Sequence, residues 1–167
     1  GDIRQAFRLI DHPYERKPSM QFDRFKHVLP ILATALVAVV ALPAARAEVK
    51  FTSDTKAALS QAAKGGKLVM VDVYTDWCGW CKKLDKDVYA RPDVTEAVKK
   101  NFVALKVNPE KSKADADFVK KYGVRGFPTI IFLDSKGKEV HRIVGYREYA
   151  DFMKEMNTAV TKSKAKS

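Results

Sequence analysis

Apolar residues recur along the chain in two spacings, which predict a protein of alternating helices and strands. The run at 68–74 is almost continuously apolar and β-branched, as in a strand buried on both faces of a sheet. Residues 102–108 and 129–133 predict two more strands, and the alternating segment 139–144 predicts a fourth. Helical spacing predicts helices at 55–63, 82–89, 94–100, 115–122 and 149–161.

Capping and turn residues separate these elements. Ser53 or Asp54 can cap the first helix, Gly65 and Gly66 end it, and residues 134–137 form a hairpin-type turn. The predicted order is α-β-α-α-β-α-β-β-α. Strands separated by helices predict parallel pairing, and the last two predict an antiparallel hairpin. We therefore expect an α/β fold with a mixed sheet of four to five strands and helices on both faces.

The beginning of the chain carries the pattern of an export signal. Residues 28–42 form an uncharged apolar run, preceded by Arg24 and Lys26 and followed by small residues that allow cleavage after Ala47. Fifteen residues are short for a membrane-spanning helix, which needs about 20. An uncleaved membrane anchor is the alternative, and a buried core helix is a weaker one. The predicted organisation is an upstream extension or expression remnant at 1–19, a signal peptide at 20–47, one domain at 48–161 and a basic tail at 162–167.

Composition and charge indicate which classes of partner the protein binds. The 167 residues are 46% hydrophobic, enough for a packed core. The formal net charge is +11, but most lysines are interspersed with acidic residues. That pattern favours a solvated surface over a nucleic-acid-binding patch. We expect no nucleic-acid partner.

The two cysteines, Cys78 and Cys81, favour chemistry over structure. A bond between residues so close in sequence closes almost no loop and stabilises the fold little. Both follow a predicted strand directly, so Cys78 lies near a helix N-terminus, where its thiolate is favoured. We assign Cys78 as the nucleophile and Cys81 as the resolving thiol. The alternatives are a static disulfide and a zinc site. Zinc needs four ligands, and residues 48–167 offer only His141 besides the cysteines, unless a dimer shares them. We expect no metal and no cofactor.

Four landmarks of the sequence make it similar to the thioredoxin superfamily. They are Asp72, the stretch Trp77-Cys78-Gly79-Trp80-Cys81-Lys82, the turn Gly126-Phe127-Pro128-Thr129, and Gly145. The chain most resembles small exported thioredoxin-like proteins related to the C-terminal domain of the periplasmic disulfide reductase. One departure is Gly79-Trp80, where thioredoxin usually has Gly-Pro, so thioredoxin's redox poise does not carry over.

The resemblance implies roles for further residues. Asp72 is expected beneath the cysteines, where burial raises its pKa and suits it to accept the Cys81 proton. An Asp held by backbone hydrogen bonds is the alternative. Lys106 either pairs with Asp72 or is a solvated strand-edge lysine. The resemblance also implies a cis bond before Pro128 and a substrate-binding surface. The expected substrate-binding residues are Trp77, Gly79, Trp80, Phe127, Pro128 and Thr129.

The sequence thus predicts an exported thiol–disulfide oxidoreductase that reduces protein disulfides through a mixed disulfide. Its expected partners are disulfide-containing exported proteins and a membrane electron donor of the disulfide-reductase type. We expect a monomer in the periplasm or secreted. The alternatives are a disulfide-forming oxidase, a reductase for haem attachment to cytochrome c, and a non-catalytic binding module on the same fold.

Overall fold

The structure is a computed structural model that describes residues 48–165. The predicted extension at 1–19, the predicted signal peptide at 20–47 and the last two residues of the basic tail lie outside the described residues. In chain order the elements are α1 (Thr55–Gly65), β1 (Leu68–Val73), α2 (Gly79–Leu84), a π-helical turn (Asp85–Tyr89), α3 (Pro92–Asn101), β2 (Phe102–Val107), α4 (Lys113–Lys121), β3 (Thr129–Leu133), β4 (Glu139–Val144) and α5 (Tyr149–Lys164). None of the helices within residues 48–165 has the length and apolar composition to cross a membrane.

The four strands form one mixed sheet in the order β2-β1-β3-β4. β1 and β2 are parallel, whereas β3 is antiparallel to both β1 and β4. This confirms the predicted fold class and the hairpin, but the expectation of parallel pairing for every strand after a helix is wrong for β3. The reason is that β2 ends at Val107, opposite Val73 of β1, and β3 starts at Thr129, opposite the same residue. The chain between them therefore returns to the end of the sheet that it left, and β3 runs in the reverse direction to β1.

Side-chain alternation along the strands builds a hydrophobic core on each face of the sheet. Leu68 and Met70 of β1 pack with α3, α5 and the π-helical turn on one face. Val69, Val71 and Val73 pack with α1 and α4 on the other. Asp72 follows the same alternation as Leu68 and Met70, so its carboxyl group belongs to the face covered by the helix that carries the cysteines.

The helix that carries Cys81 begins at Gly79, which agrees with the expected position of Cys78 near a helix N-terminus. It differs from its prediction at the other end, because the last turn of the predicted segment 82–89 has π-helical geometry. The π-helical turn directs Val88 and Tyr89 into the core, where both are fully buried. Such turns often occur beside functional sites.

Candidate active site

Cys78 and Cys81 lie where β1 gives way to α2, and they form a disulfide. The two Cα atoms are 5.3 Å apart, within the usual range. The loop between them and β1 is held by a hydrogen bond from the Cys78 N–H to the Thr75 carbonyl at 3.2 Å. Both cysteines are buried, with little difference in exposure between them. The segment between β1 and α2 therefore holds the two sulfurs bonded to each other at the start of the helix.

The Cys78 sulfur occupies the N-cap position of α2. Its Sγ accepts a hydrogen bond from the Cys81 N–H at 3.1 Å. The first N–H groups of a helix have no partner within the helix, and they favour negative charge at this end. In the reduced protein, this position favours the thiolate form of Cys78, which is the reactive form in disulfide exchange.

Asp72 is a buried carboxyl group within β1, only 1% exposed. Burial raises its pKa from 3.8 to about 7, because the charged form is poorly solvated there. The positive charge of Lys106 opposes this rise, and the negative charge of Asp85 adds to it. A carboxyl group with a pKa near neutrality can both accept and return a proton at physiological pH.

Lys106 joins Asp72 to a second carboxylate that the sequence reasoning did not single out. Its Nζ lies 2.7 Å from Asp85 Oδ1 and 3.7 Å from Asp72 Oδ2. The first distance is a charge-assisted hydrogen bond, whereas the second is an ion pair too long for a direct one. Lys106 is thus a paired residue rather than a solvated strand-edge lysine. The one available signal for Asp85 was its helical spacing, four residues after Cys81.

Trp77, the residue directly before Cys78, is 67% exposed. Its Nε1–H donates a hydrogen bond to Glu110 Oε1 at 2.8 Å. Its ring meets Phe127 edge to face, with the centroids 5.9 Å apart. Glu110 was not foreseen, because it lies 33 residues away and follows no pattern shared with Trp77.

Trp80, between the cysteines, is 59% exposed. Its ring packs against Tyr146, with the centroids 5.4 Å apart. Lys83 Nζ lies 5.2 Å from the centre of the same Tyr146 ring. Gly79, beside it, has a negative φ and open space where a Cβ atom would lie. The backbone geometry therefore does not require glycine at this position.

The turn before β3 lies close to the cysteine loop. The Phe127–Pro128 peptide bond is cis, and the Pro128 carbonyl accepts a hydrogen bond from the Gly145 N–H at 2.8 Å. Thr129 is buried, and its hydroxyl donates to the Gly126 carbonyl at 2.8 Å. Thr129 thus fixes the turn from inside, whereas Phe127 reaches Trp77. Trp77 with Phe127 and Trp80 with Tyr146 thus form two aromatic pairs on the segments around the cysteines. We call these four residues the aromatic rim.

His141, the remaining metal-ligand candidate, is engaged elsewhere. Its Nε2 contacts Glu155 and its Nδ1 contacts Lys162, both on α5. Its ring stacks on Phe132, with the centroids 6.0 Å apart. Within residues 48–165, no three His, Cys, Asp or Glu side chains come together in a way that could hold a metal ion. His141 therefore joins α5 to β4 in this fold.

Comparison with known proteins agrees with this geometry. Residues 55–159 match the family model described as a thioredoxin-like domain. A thiol:disulfide interchange protein DsbD of Yersinia pestis is 38% identical over 112 residues, which are 64% of this chain and 18% of that protein. The chain spans about a fifth of the length of the curated relatives it matches.

Two solved structures show the same architecture. A thioredoxin from Thermus thermophilus has a TM-score of 0.62 and 28% identity, covering 69% of this chain and 89% of that one. The oxidised DsbD C-terminal domain of Neisseria meningitidis has a TM-score of 0.52 and 28% identity, covering 63% of this chain and 95% of that one.

Proposed function

The chain belongs to the thioredoxin-like family of thiol–disulfide oxidoreductases, and we propose that its Cys78–Cys81 pair reduces disulfides of exported proteins. The observation that carries this proposal is the placement of Cys78. Its sulfur caps the N-terminus of α2 and lies within bonding distance of a second cysteine, which is the arrangement that an attacking thiolate and a resolving thiol need.

The reaction begins with the reduced pair. The Cys78 thiolate attacks one sulfur of the substrate disulfide, forms a mixed disulfide and releases the other substrate sulfur as a thiolate, which takes a proton from solvent. Cys81 then loses its proton to the Asp72 carboxylate and attacks Cys78 Sγ. The mixed disulfide breaks, the second substrate sulfur leaves as a thiolate, and the Cys78–Cys81 disulfide remains. Two electrons have passed to the substrate.

Each turnover leaves the pair oxidised, so a dithiol donor must reduce it again. The similarity to part of a thiol:disulfide interchange protein supports a membrane electron donor for this step. The apolar run at 28–42 supports export, since disulfides persist in oxidising compartments. The aromatic rim supports a polypeptide substrate, because its two exposed members, Trp77 and Trp80, flank Cys78 and suit docking of another chain.

The reduction potential of the pair tests the direction of electron flow. The purified oxidised protein is equilibrated with glutathione buffers of known ratio, and the reduced fraction is measured by thiol alkylation. A value near −270 mV, about that of thioredoxin, supports the reductase. A value near −120 mV, about that of a strong oxidant, contradicts it and favours disulfide formation.

A trapping experiment tests the mechanism independently of the direction. Cys81→Ala keeps the attacking thiolate but cannot resolve the mixed disulfide, so it should accumulate partners that a reductant releases. Cys78→Ser is the matched control and should trap none. A Cys81→Ala protein that forms no mixed disulfides in cells would contradict exchange chemistry and favour the non-catalytic binding module.

A further inference from the structure

Within residues 48–165, four buried side-chain atoms have no hydrogen-bond partner in the structure: Asp72 Oδ1, Thr75 Oγ1, the Tyr89 hydroxyl and Asn108 Nδ2. Asp72 Oδ1 and the Tyr89 hydroxyl belong to the same side of the sheet, and each has almost no exposed surface. Buried polar atoms in folded proteins are nearly always satisfied by protein or by ordered water, because an unsatisfied one destabilises the folded state. Two such atoms in one region therefore call for a shared explanation.

The fold brings Asp72 and Tyr89 to the same face of the sheet. Asp72 points to the side of Leu68 and Met70, and Tyr89 packs in the core cluster that contains those two residues. Tyr89 is also linked to Asp72 through two intermediate residues, Phe51 and Lys106. The Phe51 ring meets the Tyr89 ring with centroids 5.1 Å apart, and Lys106 Nζ lies 5.1 Å from its centre.

The protein groups around Asp72 leave its Oδ1 without a hydrogen-bond partner. Lys106 from β2 faces Oδ2, and Asp85 from the π-helical turn is bound to Lys106. On β3, the residue opposite Asp72 is Ile130, which is apolar. Burial raises the pKa of Tyr89 well above its ordinary value, and the negative charges of Asp72 and Asp85 add to the rise.

We propose that the Tyr89 hydroxyl is a positioning group for Asp72, which it reaches through one internal water molecule. The water accepts from the Tyr89 hydroxyl and donates to Asp72 Oδ1, so both buried atoms gain a partner. A donor directed at a carboxylate favours its charged form. Tyr89 therefore keeps Asp72 ionised over a wider pH range than burial alone allows. Its importance for the Cys81 proton rests on the proposed function, whereas its effect on Asp72 does not.

The test uses the oxidised protein, in which no exchange reaction takes place. The Asp72 carboxyl carbon is labelled with ¹³C and titrated by NMR in the wild type, in Tyr89→Phe and in Tyr122→Phe. Tyr122→Phe is the matched control, because it removes a hydroxyl that donates to the Gly137 carbonyl. Tyr89→Phe should raise the pKa of Asp72 by on the order of one unit, the size expected for a lost hydrogen bond, and the control should leave it unchanged.

Two further measurements, a pH profile and a crystal structure, test the same role of Tyr89. In the reduced protein, the pH profile of mixed-disulfide resolution should move to higher pH in Tyr89→Phe by the same amount. A high-resolution crystal structure of the wild type should show a water within hydrogen-bond distance of both atoms, and this does not depend on the variant folding. An unchanged Asp72 titration in folded Tyr89→Phe, or a dry site in the crystal, would overturn the proposal while leaving the exchange chemistry intact.

Discussion

Asp72 and Lys106 are direct partners across the parallel pair of β1 and β2, and their charged groups lie 3.7 Å apart. The lysine is shared with Asp85, which binds it more closely. One cation therefore serves two carboxylates, and the buried one is left only partly neutralised. This arrangement gives Asp72 an environment in which burial outweighs the ion pair, and its pKa rises to about 7.

Replacing Asp72 by Asn should stabilise the protein at neutral and higher pH. The folded pKa is raised from 3.8 to about 7, so between these values the folded state holds a proton that the unfolded state has lost. By linkage, the contribution of Asp72 is most favourable below the unfolded pKa and is lost as pH rises through the folded pKa. Three pKa units correspond to roughly 4 kcal/mol, so Asp72→Asn should gain up to about that much between pH 4 and pH 8.

Denaturant unfolding of the oxidised protein across this pH range measures the gain. The control is Asp117→Asn, an exposed carboxylate on α4 paired with Lys113. Its difference from the wild type should remain nearly constant. A constant difference for Asp72→Asn as well would show that the buried carboxyl does not titrate in this range.

Replacing Lys106 by Met should raise the pKa of Asp72 above about 7. The substitution removes the positive charge that favours the carboxylate and keeps an apolar chain of similar length against Phe51. Loss of an opposite charge at this distance is worth roughly one to three pKa units. The measurement is the ¹³C titration of the Asp72 carboxyl group. Lys64→Met, in the last turn of α1, is the control. A pKa that stays or falls in Lys106→Met would contradict the ion pair.

Replacing Asp85 by Asn should have the opposite effect. Asp85 raises the pKa of Asp72 through its negative charge, and it also holds Lys106 Nζ at 2.7 Å. Without that charge, the lysine interacts more strongly with Asp72, and we expect the Asp72 pKa to fall by on the order of one unit. The same titration measures it. Asp87→Asn removes a carboxylate of the same turn that is paired with Lys83, and it should change little. A rise in Asp85→Asn would refute this reading of the network.

Replacing Glu110 by Ala should weaken substrate binding. The Trp77 indole then loses its hydrogen bond and samples more orientations, so docking a substrate must order it again. A net hydrogen bond of about 1 kcal/mol predicts roughly a fivefold increase in KM with kcat little changed. Glu96→Ala, an exposed glutamate of α3 paired with Lys99, is the control. Equal KM values for Glu110→Ala and wild type would mean that Trp77 orientation is unimportant for binding.

Local patterns were sufficient to predict most of the elements. Three features depend on residues within one or two turns of each other: the order of helices and strands, the cap at Asp54 with Pro92 in the first turn of α3, and the position of Cys78 between a strand and a helix. Boundaries were less accurate, since α5 runs to Lys164 and thus continues beyond the predicted residue 161 into the predicted basic tail. The substrate-binding roles of the predicted rim residues remain predictions.

Contacts between distant segments were not accessible in the same way. The pairing of Lys106 with Asp72 depends on the register of β1 with β2, and the two readings of Lys106 could be separated only by that register. Glu110 and Tyr146 join the site through contacts that no local spacing encodes. The helical spacing places Asp85 one turn after Cys81 but does not indicate its contact with Lys106. The antiparallel direction of β3 likewise depends on where residues 122–128 lead the chain.

The sequence by itself determined that this chain places two cysteines at the start of a helix after a buried strand, because hydrophobic periodicity and turn residues act locally. Only the tertiary structure decided what surrounds them. The buried site around Asp72 is assembled from β1, β2 and the π-helical turn, and its electrostatics depend on burial and on distances of a few ångströms. The burial of Asp72 and its distance to Lys106 are set only when the elements pack, because the order of residues along the chain fixes neither of them.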